Sequence, residues 1–129
     1  MATLLTAFNN LVINFCDDLI YIFPDENDFK VYKRGISMLN SMNAKKVCVL
    51  FRAYSSIYKE QIVNKDEKFF LDNNYNTIVN DYNNVYDDNT SIELIINKLK
   101  HYWEKLSDTN KCKIWEYLNS LLKLCDMIA

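Results

Sequence analysis

The sequence predicts an all-α fold, a single-domain bundle of five or six helices. Only one glycine, Gly35, and one proline, Pro24, occur in the 129 residues, and the tight turns of sheets draw heavily on both residue types. Apolar residues also recur at spacings of three and four along most of the chain, which is the period of an amphipathic helix. At this length we expect residues 1–129 to form one helical domain.

The first helix is predicted over residues 4–23. Thr3 is a suitable N-cap, and Pro24 should end the helix because it cannot donate a backbone hydrogen bond. The predicted buried stripe consists of Leu4, Phe8, Leu11, Phe15, Leu19 and Ile22.

Two further helices are predicted before residue 64. Asp25 or Asp28 should cap the second helix, and Asn43 should both separate it from the third helix and cap the latter. The third helix should end near Ile62. The inward positions of these two helices are predicted to be Phe29, Tyr32, Ile36, Leu39, Val47, Leu50, Phe51, Tyr54, Ile57 and Tyr58.

The C-terminal part of the chain predicts a helical hairpin. Thr90 and Glu93 have the spacing of a capping box, and Ser107 should cap the last helix. Trp103 and Trp115 lie 12 positions apart across that break, so an antiparallel turn should bury both. The other inward positions are predicted to be Ile92, Ile95, Ile96, Leu99, Leu106, Ile114, Leu118, Leu121, Leu122 and Cys125.

The overall charge gives little support for nucleic-acid binding. The formal net charge is −2, with a sequence pI of about 5.3, whereas nucleic-acid modules are usually basic. Lys45, Lys46, Arg52 and Lys59 on the third helix are therefore expected to form a solvated face. Contact of these side chains with phosphates is the alternative.

The four cysteines show no paired spacing. Cys16, Cys48, Cys112 and Cys125 are each expected on an apolar helical face, so neither a disulfide framework nor a zinc site is predicted. Reduced, buried thiols fit a cytosolic protein.

No residue pattern predicts catalysis. The lone histidine, His101, is expected at the surface, since the sequence places no partner acid or base beside it. Residues 72–83 resemble a calcium loop, but Thr77 and Asn83 occupy the positions that need glycine and a bidentate glutamate. We therefore expect no enzymatic activity, no cofactor and no metal. Asp17 interrupts the apolar N-terminus, so we expect neither a signal peptide nor a membrane span.

The candidate partner-binding segment covers residues 65–75. It joins residues 24–68, with nine Lys and Arg against six acids, to residues 69–93, with five acids and no base. Three bulky apolar residues at 69–71 follow a charged turn, and they either fill the core or anchor a partner. The candidate partner-binding residues are Lys65, Asp66, Glu67, Phe69, Phe70 and Tyr75. Residues 69–71 and 75–82 are predicted to form short helices, and 83–89 a loop.

The chain resembles a family of uncharacterised small helical proteins of nucleocytoplasmic large DNA viruses, the giant viruses of protists and algae. The resemblance lies in Phe8, Leu11, Phe15, Phe23, Pro24, Asp28, Phe29, Tyr32, residues 65–71, Tyr75, Trp103, Leu106, Ser107, Asn110, Lys111 and residues 114–118. It implies a viral origin and carries no established activity. The abundance of Asn, Lys, Ile and Tyr, whose codons are A/T-rich, agrees with it.

These observations predict a non-enzymatic protein–protein interaction module: a helical adaptor, virion component or host-factor binder. We expect the protein to bind an unidentified protein partner and to bind neither a specific nucleic acid nor a membrane. Its expected location is the host cytoplasm or the virion. The sequence leaves open whether the protein forms a homo-oligomer. One alternative is a nucleic-acid-associated protein that uses the basic 24–68 region. Another is a viral Bcl-2-like or death-domain-like regulator, although a Bcl-2-type bundle needs a central helix that is apolar all round.

Overall fold

The computed structural model describes residues 2–68 and 91–128, which contain five α-helices and no strand. The helices are α1 Ala2–Ile22, α2 Asp28–Met42, α3 Lys46–Val63, α4 Ser91–Tyr102 and α5 Asp108–Met127, with a 3-10 helix at Trp103–Lys105 between the last two. The prediction of an all-α bundle is confirmed. The helices predicted at 69–71 and 75–82, the loop at 83–89 and the cap at Thr90 lie outside the described residues.

The five helices share one hydrophobic core. α5 packs against α1 and α3, α1 also packs against α2, and α2 packs against α4. The largest side chains without solvent exposure include Phe8, Phe29, Phe51, Trp103 and Leu118. None of the helices described here is both long and apolar enough to cross a membrane.

The two tryptophans lie in this core, as the sequence predicts. Trp103 is 0% exposed and Trp115 is 4% exposed. Their ring centroids are 5.6 Å apart, with the ring planes at 75°, the edge-to-face geometry that aromatic pairs prefer. The pair joins the 3-10 helix to α5.

Two of the predicted N-caps are wrong. α1 already begins at Ala2, so Thr3 is a residue of the helix rather than its cap. α2 has Asn27 at its N-cap position, without a side-chain bond to the helix. Neither Asp25 nor Asp28 is therefore the cap, and the backbone N–H of Asp28 donates instead to Glu26 Oε2 at 3.4 Å.

The helix junctions at Asn43 and Ser107 are where the sequence places them. Asn43 is the C-cap of α2, and the N-cap of α3 is Lys45, so Asn43 does not cap α3. Its Oδ1 nevertheless accepts the backbone N–H of Lys45 at 3.1 Å. Ser107 caps α5 as predicted, with Oγ accepting the backbone N–H of Asn110 at 3.2 Å.

Three of the four cysteines are buried, and Cys112 is exposed. The expectation that every cysteine lies on an apolar face is therefore wrong for Cys112. This residue belongs to the first turns of α5, before the buried stripe of that helix starts at Ile114.

Replacement of Trp115 by alanine tests this core. Because Trp115 is nearly fully buried against Trp103, we expect Trp115→Ala to lower the free energy of unfolding by about 3–5 kcal/mol. Tyr21→Ala is the control, since Tyr21 is exposed on α1. Urea denaturation followed by circular dichroism measures both. A loss below about 1 kcal/mol for Trp115→Ala would contradict the burial.

Candidate interaction surface

The charged turn at residues 64–66 ends α3 with an unusual residue in a left-handed conformation. Lys65 has φ 53°, the one positive φ among the residues described. Its N–H donates to the Ile62 carbonyl at 3.2 Å, and the N–H of Asp66 donates to the Gln61 carbonyl at 2.9 Å. This is the Schellman pattern that usually has glycine at the position of Lys65. A lysine there holds the turn at a cost in backbone strain.

The turn is also bonded to the rest of the bundle. Asp66 Oδ1 accepts the backbone N–H of Lys68 at 3.0 Å. Glu67 lies 3.8 Å from Lys111 Nζ, which is itself 5.4 Å from the ring centroid of Trp103. The candidate residues Lys65, Asp66 and Glu67 thus form one ordered turn beside α5. Phe69, Phe70 and Tyr75 lie outside the described residues, and their assignment as core or anchor stays a prediction.

A surface cavity of about 550 Å³ opens beside this turn. It is lined by Ser56, Ile57, Lys59, Glu60, Gln61, Val63 and Asn64. Ile57 is 66% exposed and Val63 is 53% exposed. We call Ser56, Ile57, Glu60 and Val63 the outer face of α3. Two apolar side chains in water among charged groups are the arrangement of an anchor with a polar rim.

The sequence analysis assigned Ile57 to the buried stripe, and this is wrong. Successive residues of a helix are about 100° apart, so Ile57 points well away from its neighbour Tyr58. The core-facing direction of α3 is set by Phe51, Tyr54, Ser55 and Ile62, which are all buried. The spacing of three from Tyr54 fits an apolar stripe, but it places Ile57 outside this direction. α3 is also kinked at Tyr58, whose φ of −115° and ψ of 15° are not helical.

The basic side chains of α3 make contacts within the protein. Arg52 Nη2 donates to the carbonyl of Cys125 at 2.6 Å and also to the carbonyl of Ile128. Lys59 Nζ lies 3.3 Å from Asp126 Oδ2. Both cations therefore lie at the C-terminal end of α5, where unpaired carbonyls concentrate negative partial charge.

A second polar cluster joins the α1–α2 connection to α4. Tyr102 donates its hydroxyl to Glu26 Oε1 at 2.8 Å, and Lys98 Nζ lies 2.7 Å from Asp28 Oδ2 and 3.3 Å from Glu26 Oε1. The hydrogen bond from Tyr102 lowers the pKa of the Glu26 carboxyl, while Asp28 raises the pKa of the Lys98 ammonium. Each group keeps its charge at neutral pH, so neither is suited to proton transfer there.

Tyr117 on α5 forms a similar contact with α1. Its hydroxyl donates to Asp18, and its ring stacks on Phe15 at 4.8 Å. Burial, followed by the bond to Asp18, raises the pKa of Tyr117 to about 12. The phenol therefore stays protonated at neutral pH and acts as a structural donor.

His101 and the loop that resembles a calcium site are the remaining candidates from the sequence. His101 is exposed, as expected, and its ring lies 5.0 Å from that of Tyr102. Within residues 2–68 and 91–128, no three His, Cys, Asp or Glu side chains lie close enough together to hold a metal ion. The rejected calcium loop at 72–83 falls outside those residues.

Comparison with known proteins adds no relative from which an activity could be transferred. No family model, no curated protein and no solved structure matches this chain. The function must therefore be argued from the outer face of α3 and the turn beside it.

The strain at Lys65 gives a direct test of the turn. Lys65→Gly removes the side chain that disfavours positive φ, and we expect it to stabilise the protein by about 0.5–1 kcal/mol. Asn64→Gly is the matched control, because Asn64 has φ −84° and a glycine there brings no relief. Urea denaturation of both variants measures the difference. Equal destabilisation by the two changes would contradict a left-handed Lys65.

Proposed function

We propose that the protein is a non-enzymatic protein–protein interaction module that docks a protein partner on the outer face of α3 and the adjoining turn at residues 65–67. The observation that carries this proposal is the exposure of Ile57 and Val63 beside a cavity of about 550 Å³. Exposed apolar side chains cost free energy in water unless a partner covers them.

The chemistry around these two side chains favours a partner segment of mixed character. Glu60 and Lys65 are exposed and of opposite sign, and Lys59 already contacts Asp126. The matching segment carries an apolar side chain for the cavity, flanked by a basic and an acidic residue. Such a small apolar centre with a charged rim is typical of specific, non-obligate protein interfaces.

Two contacts support a protein partner over a nucleic acid. Arg52 and Lys59 are basic residues of α3, and both are bonded to the C-terminal end of α5. A phosphate backbone would have to displace these contacts before it gained the same cations. The outer face itself also carries an acid, Glu60.

The described helices also give more support to an adaptor than to a Bcl-2-like regulator. A Bcl-2-type bundle needs a central helix that is apolar on all sides. Within the part of the chain that the structure describes, α5 packs against both α1 and α3, yet Lys113, Glu116 and Lys123 are exposed on it. This polar face supports a surface-docking module.

The resemblance to giant-virus proteins supports a viral origin for this module, as does the abundance of residues with A/T-rich codons. On that basis the partner is a host or virion protein, and the place of action is the host cytoplasm or the virion.

Substitution of Ile57 tests the docking site. The full chain serves as bait in a lysate of infected cells, and the captured protein is then purified for measurement of Kd. We expect Ile57→Asp to weaken binding by at least about 10-fold, because it puts a charge where an apolar anchor is needed. The melting temperature should not change, since Ile57 is exposed.

Val31→Asp is the matched control, because Val31 is an exposed apolar residue on α2, away from the outer face of α3. It should leave Kd unchanged. The pair Lys65→Ala with Glu67→Ala should also weaken binding and leave the melting temperature nearly unchanged. The Glu67 side chain is about half exposed and its contact with Lys111 is long, at 3.8 Å, and such ion pairs contribute little to stability. Wild-type affinity in both Ile57→Asp and the double variant would place the interface elsewhere.

A salt titration tests the alternative of nucleic-acid binding. With a net charge of −2, the wild-type protein should bind duplex and single-stranded DNA or RNA only weakly, and this binding should vanish at about 150 mM salt. Fluorescence anisotropy with labelled 20-mers measures it. Binding below about 1 μM at that salt concentration would favour the nucleic-acid alternative.

A further inference from the structure

Two cysteines from distant parts of the chain lie in contact inside the core. Cys48 Sγ on α3 and Cys125 Sγ on α5 are 3.9 Å apart, across a sequence separation of 77 residues. Each residue is 2% exposed. The Cys125 thiol also lies 3.9 Å from the backbone carbonyl of Cys48. Neither residue has a part in the proposed docking surface.

The contact is held in place by bonds on either side of it. Arg52 follows Cys48 by one helical turn, and its guanidinium donates to the Cys125 and Ile128 carbonyls. These bonds fix the last turn of α5 against α3. The fold therefore places the two sulfurs side by side. A small movement of the side chains and of the helix end would bring them from 3.9 Å to the disulfide bond length of about 2.05 Å.

We propose that Cys48 and Cys125 form an oxidative modification site, a dithiol that a small peroxide converts into an intramolecular disulfide between α3 and α5. One thiolate attacks the peroxide oxygen and becomes a sulfenic acid, with release of water after protonation. The second thiolate attacks the sulfenic sulfur, the S–S bond forms, and a second water leaves. Two thiols and one hydrogen peroxide thus give one disulfide and two waters, and the two electrons pass from sulfur to the peroxide.

The position of Cys125 provides the route for the oxidant. It lies three residues before Ile128 and within the last turn of α5, which ends at Met127. Helix ends open more easily than helix centres, so when the Arg52 bonds to this turn break transiently, the turn opens and exposes Cys125 to the peroxide. The sulfenic acid formed there meets Cys48 when the turn closes.

The same burial makes the reaction slow. Desolvation raises the pKa of the Cys48 thiol to about 11, with a further increase from Cys125 and a smaller opposing effect of Arg52. Thiolate is the reactive form and is scarce at neutral pH.

The other two thiols serve as internal references. Cys16 is buried in the α1 face of the core, and burial raises its pKa to about 12. Cys112 is exposed and would form disulfides between molecules. The Cys112→Ser variant removes that reaction without touching the core, and it keeps both residues of the proposed site.

The test treats folded Cys112→Ser protein with hydrogen peroxide, removes the excess with catalase, and then analyses intact mass and non-reduced peptides. We expect a loss of about 2 Da, the mass of two hydrogens, and one cross-linked peptide pair containing Cys48 and Cys125. Cys16 should still be alkylated after unfolding. The melting temperature should rise by about 10 °C, because the disulfide restricts the unfolded chain, and dithiothreitol should reverse the change.

A second variant separates the pair from general oxidation. In Cys112→Ser with Cys125→Ala, peroxide should produce only addition of oxygen to Cys48 or no change, and no cross-link. The proposal is overturned if the Cys112→Ser protein gains oxygen without a cross-link, or if Cys48 or Cys125 pairs with Cys16. Because these measurements use no partner protein, they do not depend on whether the docking proposal is correct.

Discussion

Burial of one face of α5 between α1 and α3 is the constraint on which the rest of the structure depends. That face carries Ile114, Trp115, Leu118, Leu121 and Leu122, all buried, and α5 packs against both neighbouring helices. Contacts of α5 with α3 and with the turn after it occur in opposite order along the two segments: Glu67 in the turn meets Lys111, Ile62 meets Asn119, and Cys48 meets Cys125. The two helices are therefore antiparallel, and the position of α5 determines which side of α3 is left for solvent.

The scarcity of glycine determines how the helices are joined. Where a glycine would normally terminate α3, Lys65 adopts a positive φ, and the Asn119 side chain supplies a further bond to the Ile62 carbonyl at 3.0 Å. At the α2–α3 junction, Asn43 accepts from Lys45 and Asn9 donates to the Ala44 carbonyl at 2.9 Å. At these junctions, hydrogen bonds from or to Asn side chains stabilise turns that glycine would otherwise favour.

Hydrophobic periodicity predicted the helices well, because each stripe is a local property of the sequence. It also placed Trp103 and Trp115 in the core, since Ser107 marks the turn between them. The predicted cap of α1 is wrong because the helix begins one residue before Thr3, at Ala2. The predicted cap of α2 is wrong because Asn27 occupies the N-cap position, and helix starts are fixed by backbone geometry that the sequence leaves open within a few residues. The predicted burial of Ile57 is wrong. Its spacing from Tyr54 fits an apolar stripe, but the direction of its side chain depends on which face of α3 meets α5.

The sequence indicated the turn near residue 65 as a candidate site, but it did not indicate the exposed apolar face of α3 beside it. The charge change near residue 65 drew attention to the turn, and the cavity lined by Ile57, Val63 and Asn64 lies directly before it. The Cys48–Cys125 contact could not be predicted, because it depends on the relative position of two helices 77 residues apart.

The docking proposal and the dithiol proposal meet in α3. The inner face of this helix is fixed by core packing and by two hydrogen bonds to α5. Arg52 of α3 donates to the Cys125 carbonyl of α5, and Asn119 of α5 donates to the Ile62 carbonyl of α3. Its outer face displays Ile57 and Val63 on a backbone that these contacts hold. A rigid helix loses little conformational entropy when a partner binds, so two apolar side chains and a small cavity are enough to contribute measurable affinity. A disulfide between α3 and α5 would hold that same helix still more firmly, and it would leave the outer face itself unchanged.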